Sequence, residues 1–568
     1  MENLKTLIKN GKVINVFTGE IEKVNILIKN ETIIGLGDYS DEDADVIHDV
    51  KGKYICPGFI DGHIHIESTM LLPSELAKVC VPHGTTSIVA DPHEIANVCG
   101  NTGIAYMLAA SENIPLNVYI MLPSCVPATG FDESGAVLKS DDLEPFYEHP
   151  RVLGLAEMMN YPGVLADDSE VLAKIAAAKK RRLKVNGHAP LLSGRSLDKY
   201  IAAGIGDDHE CSSFDEARER IRKGQWVMIR EGTSARNLDG LINLFDEPYA
   251  HRCILVTDDK HPADLLQNGH IDSIIRKAVE QGKSAVTGIR MATIQAAQCL
   301  GIENKGAVAP GYAADLLVLN DLDTVDVCDV YLAGKKVVDN GTMTDFKVPL
   351  VRNDIEKVVR NSFYMQKLTA QSFYIEPCGK RCRVIKVISG QLLTEEWITD
   401  IDFYKSNGID MSRDILKLAV AERHLNTGHI GLGFITGIGL KKGAIASSVS
   451  HDSHNLVIIG TNEDDMAIAG NRIRELGGGC VAVADGTVIA EVPLPIAGLM
   501  SELSASEAAR QNALLRQAVY EMGADNAIEP FMSMAFMSLS VIPNLKMITK
   551  GLIDVNNQEI VSLFAEDK

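Results

Sequence analysis

The sequence lacks the features that mark membrane, secreted and nucleic-acid-binding proteins. No run of about 18 consecutive apolar residues occurs, so no membrane-spanning helix is predicted. The first residues, Met1–Lys9, have neither the unbroken apolar core nor the small-residue cleavage site of a signal peptide. No long basic run offsets the formal net charge of −21, and that charge would repel DNA or RNA. We therefore expect a cytoplasmic protein with no nucleic-acid and no membrane partner.

A disulfide framework and a phosphate-binding loop are also missing. The 11 cysteines follow no regular spacing and several lie in apolar runs, which is typical of buried, reduced thiols. Glycines are frequent between residues 428 and 439, where they would either form turns or let the backbone approach a ligand closely. Gly431–Gly433 has neither the full spacing nor the Lys-Ser/Thr ending of a phosphate-binding loop.

Short strand-like segments occupy both flanks of a long central region. At 568 residues the chain is too long for one core, so several domains are expected. Asn10-Gly11 predicts a hairpin between Leu7-Ile8 and Val13-Ile14, and a polar turn separates two further strands near residue 30. Similar β texture returns near residue 306. We predict that residues 1–56 and 303–349 pair into one small, discontinuous β-sandwich domain.

The central region alternates apolar strands with segments of helical spacing. Over about 240 residues this alternation is typical of a parallel α/β fold, and a (β/α)₈ TIM-type barrel over residues 57–302 fits the length. Residues 350–568 form a further α/β domain. The predicted barrel strands include Ser87–Ala90, Val118–Met121, Val152–Leu155, Lys184–Gly187, Trp226–Ile229 and Ile254–Val256.

Metal-binding side chains follow several of these strands. His63 and His65 stand two residues apart, so in a strand both imidazoles point to the same side. Further candidates stand near other strand ends, where barrel enzymes place their catalytic groups. Mixed imidazole and carboxylate ligands suit Zn²⁺, Fe²⁺ or Mn²⁺ better than Ca²⁺. These further candidates are Glu157, His188, His209 and Asp258.

Four longer motifs make a family resemblance specific. The His-x-His pair after Pro57–Gly62 and the run Pro310–Leu316 resemble the metal-dependent amidohydrolase superfamily. Within it, the chain resembles the bacterial-type adenine deaminase family along essentially its whole length. The motifs that carry this second resemblance are Gly62–Met70 (GHIHIESTM), Ala90–Val98 (ADPHEIANV), Asp207–Glu210 (DDHE) and Ser450–Asn455 (SHDSHN).

The resemblance implies a binuclear centre of two divalent transition metal ions, with Mn²⁺ expected and Fe²⁺ or Zn²⁺ as alternatives. His63 and His65 would bind one metal, with Asp258 completing that site, and His188 and His209 would bind the second. Glu157 would bridge the two ions, where many relatives use a carboxylated lysine. The absence of lysine at this strand end disfavours the dihydroorotase and hydantoinase branches.

The implied reaction is hydrolysis of adenine to hypoxanthine and ammonia in purine salvage. Asp258 would accept a proton from the attacking water and pass it to the departing amine. Glu94, with His93 as a less favoured alternative, would protonate the ring nitrogen N1. The segment Asp91–Glu94 is equally consistent with a turn that begins a helix, because acidic residues favour the first helical turn.

Six polar residues in a row, Ser450–Asn455, allow two interpretations. They form a surface loop, or the last domain folds them over the barrel mouth as a lid that contacts the purine. On the second interpretation the residues that bind the substrate are Asp91, His93, His451, Asp452 and His454.

Other functions are less consistent with the sequence. Cytidine-type deaminases combine His-x-Glu with Pro-Cys-x-x-Cys, and Pro377–Cys382 carries one residue too many. A relative that hydrolyses another C–N bond and a barrel without catalysis stay as alternatives. The retention of many polar groups at one barrel face disfavours the inactive barrel. We expect a small-molecule purine base as the partner and a homo-oligomer, a dimer, as the assembly.

Overall fold

The structure is a computed structural model that describes residues 4–233, 235–389, 391 and 393–565. Its first strands lie in a sheet that both flanks of the central region build. These are β1–β5, at Lys5–Ile14, Ile21–Lys29, Thr32–Gly37, Val46–Asp49 and Tyr54–Pro57. The central region follows with β6–β13, at Phe59–Ile64, Thr85–Ala90, Asn117–Leu122, Val152–Met158, Lys184–Gly187, Asp207–Asp208, Trp226–Arg230 and Cys253–Val256. The second flank supplies β14–β17, at Leu316–Leu319, Val327–Leu332, Lys335–Asp339 and Thr342–Met343.

The flanking strands pair across the central region. β14 runs antiparallel to β5, and the nine strands form one continuous sheet in the order β17-β16-β15-β14-β5-β1-β2-β3, with β4 paired to β1. The predicted hairpin at Asn10-Gly11 is wrong, because Lys5–Ile14 is a single strand. Its register shifts between Ile8 and Gly11, and Asn10 adopts a φ of 62°, so the turn-forming residues are taken up by a bulge. The predicted turn near residue 30 is present between β2 and β3.

Eight parallel strands line the central region. β6 to β10 pair in sequence order as one curled sheet and β11 to β13 as a second. An isolated parallel bridge pairs Ile64 with Asp258, which brings the chain after β13 back to the end of β6. Apolar side chains of six of these strands, among them Ile60, Val89 and Met228, pack into one buried cluster. The predicted alternation of strand and helix, and the six predicted strand segments, are therefore present.

Helices cover these strands and the last domain. The α-helices are Pro73–Cys80, His93–Ala110, Ser140–Leu143, Tyr161–Leu165, Ser169–Lys180, Gly194–Ala203, Phe214–Arg222, Leu238–Leu241, Pro262–Asn268, Ile271–Glu280, Ala285–Arg290, Ala296–Leu300, Asn353–Arg360, Phe403–Ser406, Glu463–Leu476, Ala505–Glu521 and Pro530–Ala535. The shorter 3₁₀ and π turns are Asp41–Asp43, Glu67–Thr69, Val81–His83, Glu144–Phe146, Ile242–Phe245, Ala250–Arg252, Met291–Gln295 and Ala370–Phe373. Among the helices that the structure describes, none has the length and apolar character needed to cross a membrane.

The C-terminal region has a second layered core. Its strands β18–β28 are Arg381–Val387, Thr394–Asp400, Leu416–Ala421, Ile430–Thr436, Ala444–Ser447, Leu456–Gly460, Gly479–Ala484, Thr487–Pro493, Leu545–Ile548, Gly551–Asp554 and Glu559–Val561. Eight of them form a mixed sheet in the order β19-β18-β21-β20-β23-β22-β24-β25. The helix Glu463–Leu476 packs on one face of this sheet, and Ala505–Glu521 and Pro530–Ala535 pack on the other. The segment Ser450–Asn455 joins the buried strands β22 and β23.

Candidate active site and metal centre

Two histidines at the end of β6, His63 within the strand and His65 directly after it, meet two carboxylates at one end of the parallel strands. His65 Nε2 lies 3.0 Å from Asp258 Oδ1 and 3.3 Å from Glu157 Oε1. His63 Nε2 lies 3.7 and 3.9 Å from the same two oxygens. All four side chains are buried. The two-residue spacing of the histidines therefore brings both rings to one cluster, as the sequence predicted.

A second pair of histidines faces the other oxygen of Glu157. His188 Nδ1 lies 2.6 Å and His209 Nε2 lies 3.1 Å from Glu157 Oε2. The two ring nitrogens are 3.2 Å apart. Glu157 lies one residue before the end of β9, and its carboxylate stands between the histidines at the end of β6 and the histidines that follow β10 and β11. One carboxylate thus offers a separate oxygen to each histidine pair.

The charges in this cluster keep its carboxylates ionised. Burial by itself raises the pKa of Glu157, but His188, His209 and His65 hold that pKa well below its usual range. Burial acts in the same way on Asp258, and the Arg230 guanidinium and His65 lower the pKa of Asp258 well below its usual range. Anionic oxygens beside imidazoles are the donor set of a transition-metal site.

Backbone geometry fixes the orientation of two of these ligands. His65 Nδ1 lies 3.1 Å from the carbonyl oxygen of Asp91, which leaves Nε2 to face the cluster. The Asp258 amide donates to the carbonyl of His63 at 2.9 Å, and Asp258 adopts a φ of 59°. Aspartate tolerates this left-handed conformation better than most residues, and such strain is common at functional sites.

Two charged residues of the cluster were not predicted as site residues. Arg230 Nη1 donates to Asp258 Oδ2 at 2.7 Å and also pairs with Glu210 Oε1. Glu210 Oε1 lies 3.6 Å from His188 Nδ1 and 3.4 Å from His209 Nε2. Arg230 is the last residue of β12, and this strand-end position could have indicated it as a site residue. Glu210 belongs to the DDHE motif, which could have indicated it in the same way.

The segment Ser450–Asn455 is buried and lies against the central region. His451 Nδ1 is 2.6 Å from Glu94 Oε1, and His454 Nε2 pairs with Glu94 Oε2. Burial raises the pKa of Glu94, but His451 and His454 hold it well below its usual range. The segment is therefore not a surface loop: it reaches the central region, where both of its histidines contact the Glu94 carboxylate.

A third group links this loop to Glu157. Asp91 accepts from the His93 amide at 3.1 Å and lies 3.0 Å from His93 Nδ1. The same His93 Nδ1 is 3.5 Å from Glu157 Oε1, and His93 Nε2 is 3.9 Å from Asp452 Oδ1. His93 thus stands between the carboxylate at the centre of the histidine pairs and the C-terminal loop.

A buried arginine anchors this loop. Arg423 is fully buried, and its guanidinium donates to the carbonyls of His454 at 2.6 Å, Ala497 at 2.9 Å and Ser362 at 3.2 Å.

Replacing Arg423 by methionine leaves these carbonyls without a donor, so we expect the free energy of unfolding to fall by about 3 kcal/mol in urea titrations. Arg510→Met, at an exposed position, should change it by less than about 0.5 kcal/mol. Equal losses in the two variants would contradict the anchoring role.

The polar atoms of the cluster fit divalent metal ions. Within the described part of the chain, the buried His63 Nε2 has no hydrogen-bond partner, although it points toward two carboxylate oxygens. Buried polar atoms usually have partners, and a cation that accepts the imidazole lone pair would supply one. The residue groups His63-His65-Asp258 and His63-Glu157-His209 each place their ligand atoms within 4.8 Å of one another.

The chain is similar to known proteins along nearly its whole length. Residues 54–337 match the amidohydrolase family, and residues 391–559 match the adenine deaminase C-terminal domain. The chain is 44% identical over 561 residues to an adenine deaminase of Desulfatibacillum aliphaticivorans, covering 98% of this chain and 97% of that protein. It is also 44% identical to adenine deaminase 2 of Carboxydothermus hydrogenoformans, covering 98% and 96%.

Solved structures were compared as well. A β-aspartyl dipeptidase of Fervidobacterium islandicum AW-1 superposes with a TM-score of 0.47 at 16% identity, covering 61% of this chain and 99% of that one. The resemblance that the motifs indicated is confirmed by the sequence matches, which extend over nearly the whole chain. This chain belongs to the adenine deaminase family of the amidohydrolases.

Proposed function

We propose that this chain hydrolyses adenine to hypoxanthine and ammonia, as an enzyme of purine salvage. The observation that carries the proposal is the position of Glu157, whose two oxygens each face a different pair of histidines. The adenine deaminases that the chain resembles support adenine as the substrate. The burial of the cluster under a C-terminal loop supports a small planar substrate, since little room is left for a polymer.

The proposed centre holds two divalent metal ions. Ions at these positions would acidify a water molecule and make it a nucleophile at neutral pH. We expect Mn²⁺ because the ligand set combines imidazoles with hard carboxylate oxygens, and Fe²⁺ or Zn²⁺ would suit the same set. The first position would be held by His63, His65 and Asp258, the second by His188 and His209, and Glu157 would contribute to both.

Asp258 is the proposed proton carrier. Arg230 binds Asp258 Oδ2, which leaves Oδ1 facing the histidines of β6. As a carboxylate at neutral pH, Asp258 takes a proton from the attacking water and delivers it to the amino group at C6. The 2.7 Å bond to Arg230 holds the aspartate in place through both steps.

The domain layout is part of the proposal. The eight parallel strands and the bridge between Ile64 and Asp258 support a (β/α)₈ barrel over residues 57–302. The nine-stranded sheet supports one discontinuous flanking β domain built from residues 1–56 and 303–349, which we propose to be the β-sandwich. Residues 350–568 would form the third domain, with Ser450–Asn455 as the part that closes the site.

The proposed activity has a direct test. Purified protein loaded with Mn²⁺ is expected to release ammonia from adenine, and not at a comparable rate from adenosine, guanine or dihydroorotate. Ammonia is followed in a coupled assay, and hypoxanthine is identified by chromatography. No ammonia from adenine with Mn²⁺, Fe²⁺ or Zn²⁺ would refute the proposal, and release from guanine alone would favour another aminopurine.

Metal removal gives an independent prediction. Dialysis against a chelator should abolish ammonia release and lower the melting temperature, because carboxylates and imidazoles gathered in one buried cluster lose their partner. Adding back Mn²⁺ should restore both quantities. An apo-protein that keeps full activity would contradict the metal-dependent mechanism. Sedimentation of the same samples tests the expected homodimer.

A further inference from the structure

We propose that Asp452, a residue of the C-terminal loop, contacts N1 of the purine ring and acts as the catalytic acid there. The inference rests on the proposed function, because it needs a purine whose C6 atom lies beside Asp258 and Glu157. It assigns the protonation of the ring to the C-terminal domain, whereas the other proposed catalytic groups come from the barrel.

Asp452 lies near the place where the reacting carbon of the purine would be bound. His93 bridges the gap, since its Nδ1 is 3.5 Å from Glu157 Oε1 and its Nε2 is 3.9 Å from Asp452 Oδ1. The Asp452 carboxyl therefore stands about one imidazole ring away from the carboxylate at the centre of the metal ligands. N1 is bonded directly to C6, so an acid for N1 has to border the pocket in which C6 lies, and Asp452 borders it on the far side of His93 from Glu157.

The neighbouring acids Glu94 and Asp91 are less suited than Asp452 to donate a proton, because their oxygens already have hydrogen-bond partners. Both oxygens of Glu94 are engaged, by His451 and His454, which keep it a carboxylate. Both oxygens of Asp91 bond to His93. The surroundings of Glu94 thus suit a structural link between the barrel and the loop better than the proton donation that the sequence suggested.

Asp452 differs from these acids in having a free oxygen. Its Oδ2 is buried and has no hydrogen-bond partner among the residues that the structure describes. A buried, unpartnered carboxyl oxygen costs free energy unless a ligand bonds to it. Burial raises the pKa of Asp452 to about 7, against the opposing influence of His93 and His451, so a proton is available on this group near neutral pH.

The loop holds Asp452 rigidly. His454 Nδ1 accepts from the Ser450 amide at 3.1 Å, and His424 Nε2 lies 2.7 Å from the Ser453 carbonyl. Arg423 binds the His454 carbonyl from the same side. Fixed backbone on both sides of Asp452 leaves its carboxyl little freedom, which is the preorganisation that an acid catalyst needs.

With Asp452 as the acid, every proton that the substrate gains or loses in the reaction is accounted for. When the water oxygen bonds to C6, the electron pair of the C6–N1 double bond moves to N1, which takes the proton from Asp452. Ammonia leaves with the proton that Asp258 carries. As the C6–O bond becomes a carbonyl, the hydroxyl proton is released and returns Asp452 to its neutral form, while N1 keeps its hydrogen, as hypoxanthine requires.

Glu67 is the strongest competing acid. Its Oε2 is also buried without a partner in the described part of the chain, and burial raises its pKa to about 7. However, Glu67 Oε1 accepts from the Ile95 amide at 3.1 Å, and the carboxyl borders a small cavity that is lined by Met70 and Phe531 and also by His261 and His451. Among the residues that the structure describes, no histidine forms an ion pair with Glu67, whereas His93 approaches both Asp452 and Glu157. Glu67→Gln is therefore the matched comparison for Asp452.

The test compares Asp452→Asn, Asp452→Ala and Glu67→Gln with the wild-type enzyme, each loaded with Mn²⁺. Asp452→Asn keeps the shape and a hydrogen-bond donor but supplies no proton, so kcat for adenine should fall about 10²- to 10³-fold with KM changed less than about threefold. Metal content per chain should be unchanged. Asp464→Asn, at an exposed position of the same domain, should keep wild-type kinetics.

Two inhibitors locate the contact on the ring. 1-Deazaadenine lacks the N1 acceptor, whereas 3-deazaadenine keeps it. The wild-type enzyme should bind 1-deazaadenine about tenfold more weakly than 3-deazaadenine, about the effect of one hydrogen bond, and Asp452→Ala should bind the two equally. Asp452→Asn carries the kinetic test if the alanine variant does not fold.

Three outcomes would overturn the inference. They are wild-type kcat in Asp452→Asn, loss of metal from that variant, and loss of the preference against 1-deazaadenine in Glu67→Gln instead of Asp452→Ala. Each is read against a wild-type enzyme that deaminates adenine, so these outcomes are distinct from failure of the proposed function, in which the wild type itself releases no ammonia.

Discussion

Replacing Asp258 by asparagine is expected to lower kcat for adenine about 10³- to 10⁴-fold, while most of the metal stays bound. The amide keeps an oxygen near His65 but can neither accept the water proton nor return it to the amine. The expectation depends on the buried bond between Arg230 and Asp258 Oδ2, which fixes the side chain and favours its ionised form. Metal content by atomic emission and single-turnover ammonia release measure the two quantities separately.

The control for this prediction is a residue that shares the arginine. Glu210 also pairs with Arg230 and approaches the second histidine pair, but among the described residues it forms no ion pair with His63 or His65, as Asp258 does. Glu210→Gln should therefore lower kcat by less than about tenfold. An Asp258→Asn enzyme that is both metal-replete and active would remove Asp258 from proton transfer. If instead both variants lose activity to the same degree, the acidic groups around Arg230 act as one unit.

The grouping of the candidate metal ligands was predictable because it depends on local rules. Side chains two residues apart in a strand share a face, and the ends of parallel strands meet at one edge. These two facts bring His63, His65, Glu157 and Asp258 together without further information. The strand segments were predictable for a similar reason, since short apolar runs separated by helical spacing mark buried parallel strands.

What could not be predicted depends on contacts between distant parts of the chain. Glu94 and His454 are 360 positions apart, and only the folded domains bring them together. In the sequence Arg230 is an ordinary polar residue at a strand end. Its place in the site depends on its ion pairs with Glu210 and Asp258, which only the folded chain forms. At Asn10 the local turn chemistry was right, but pairing along the whole of β1 absorbed the turn as a bulge.

The position of Glu157 leads to the second large effect. Its two oxygens face separate histidine pairs, so Glu157→Gln removes the negative charge from both proposed metal positions at once, and glutamine has only one oxygen to offer. We expect less than half of the wild-type metal content and a loss of activity greater than about 10³-fold. Burial lowers the pKa of the His188 and His209 rings, and the negative charge of Glu157 raises it. Without that charge, both rings should also lose the pairing that holds them in place.

The size of this loss distinguishes a bridging carboxylate from an ordinary ligand. A residue that served one metal alone would leave the other position filled, and His188→Asn provides that comparison. The asparagine variant should keep about half of the metal, whereas Glu157→Gln should keep less. Melting temperatures of the apo-proteins guard against misfolding, because breaking a buried ion pair by removing one partner destabilises a protein by about 3–5 kcal/mol. Equal metal contents in the two variants would show that Glu157 binds a single ion, and the proposed binuclear centre would then need a different bridge.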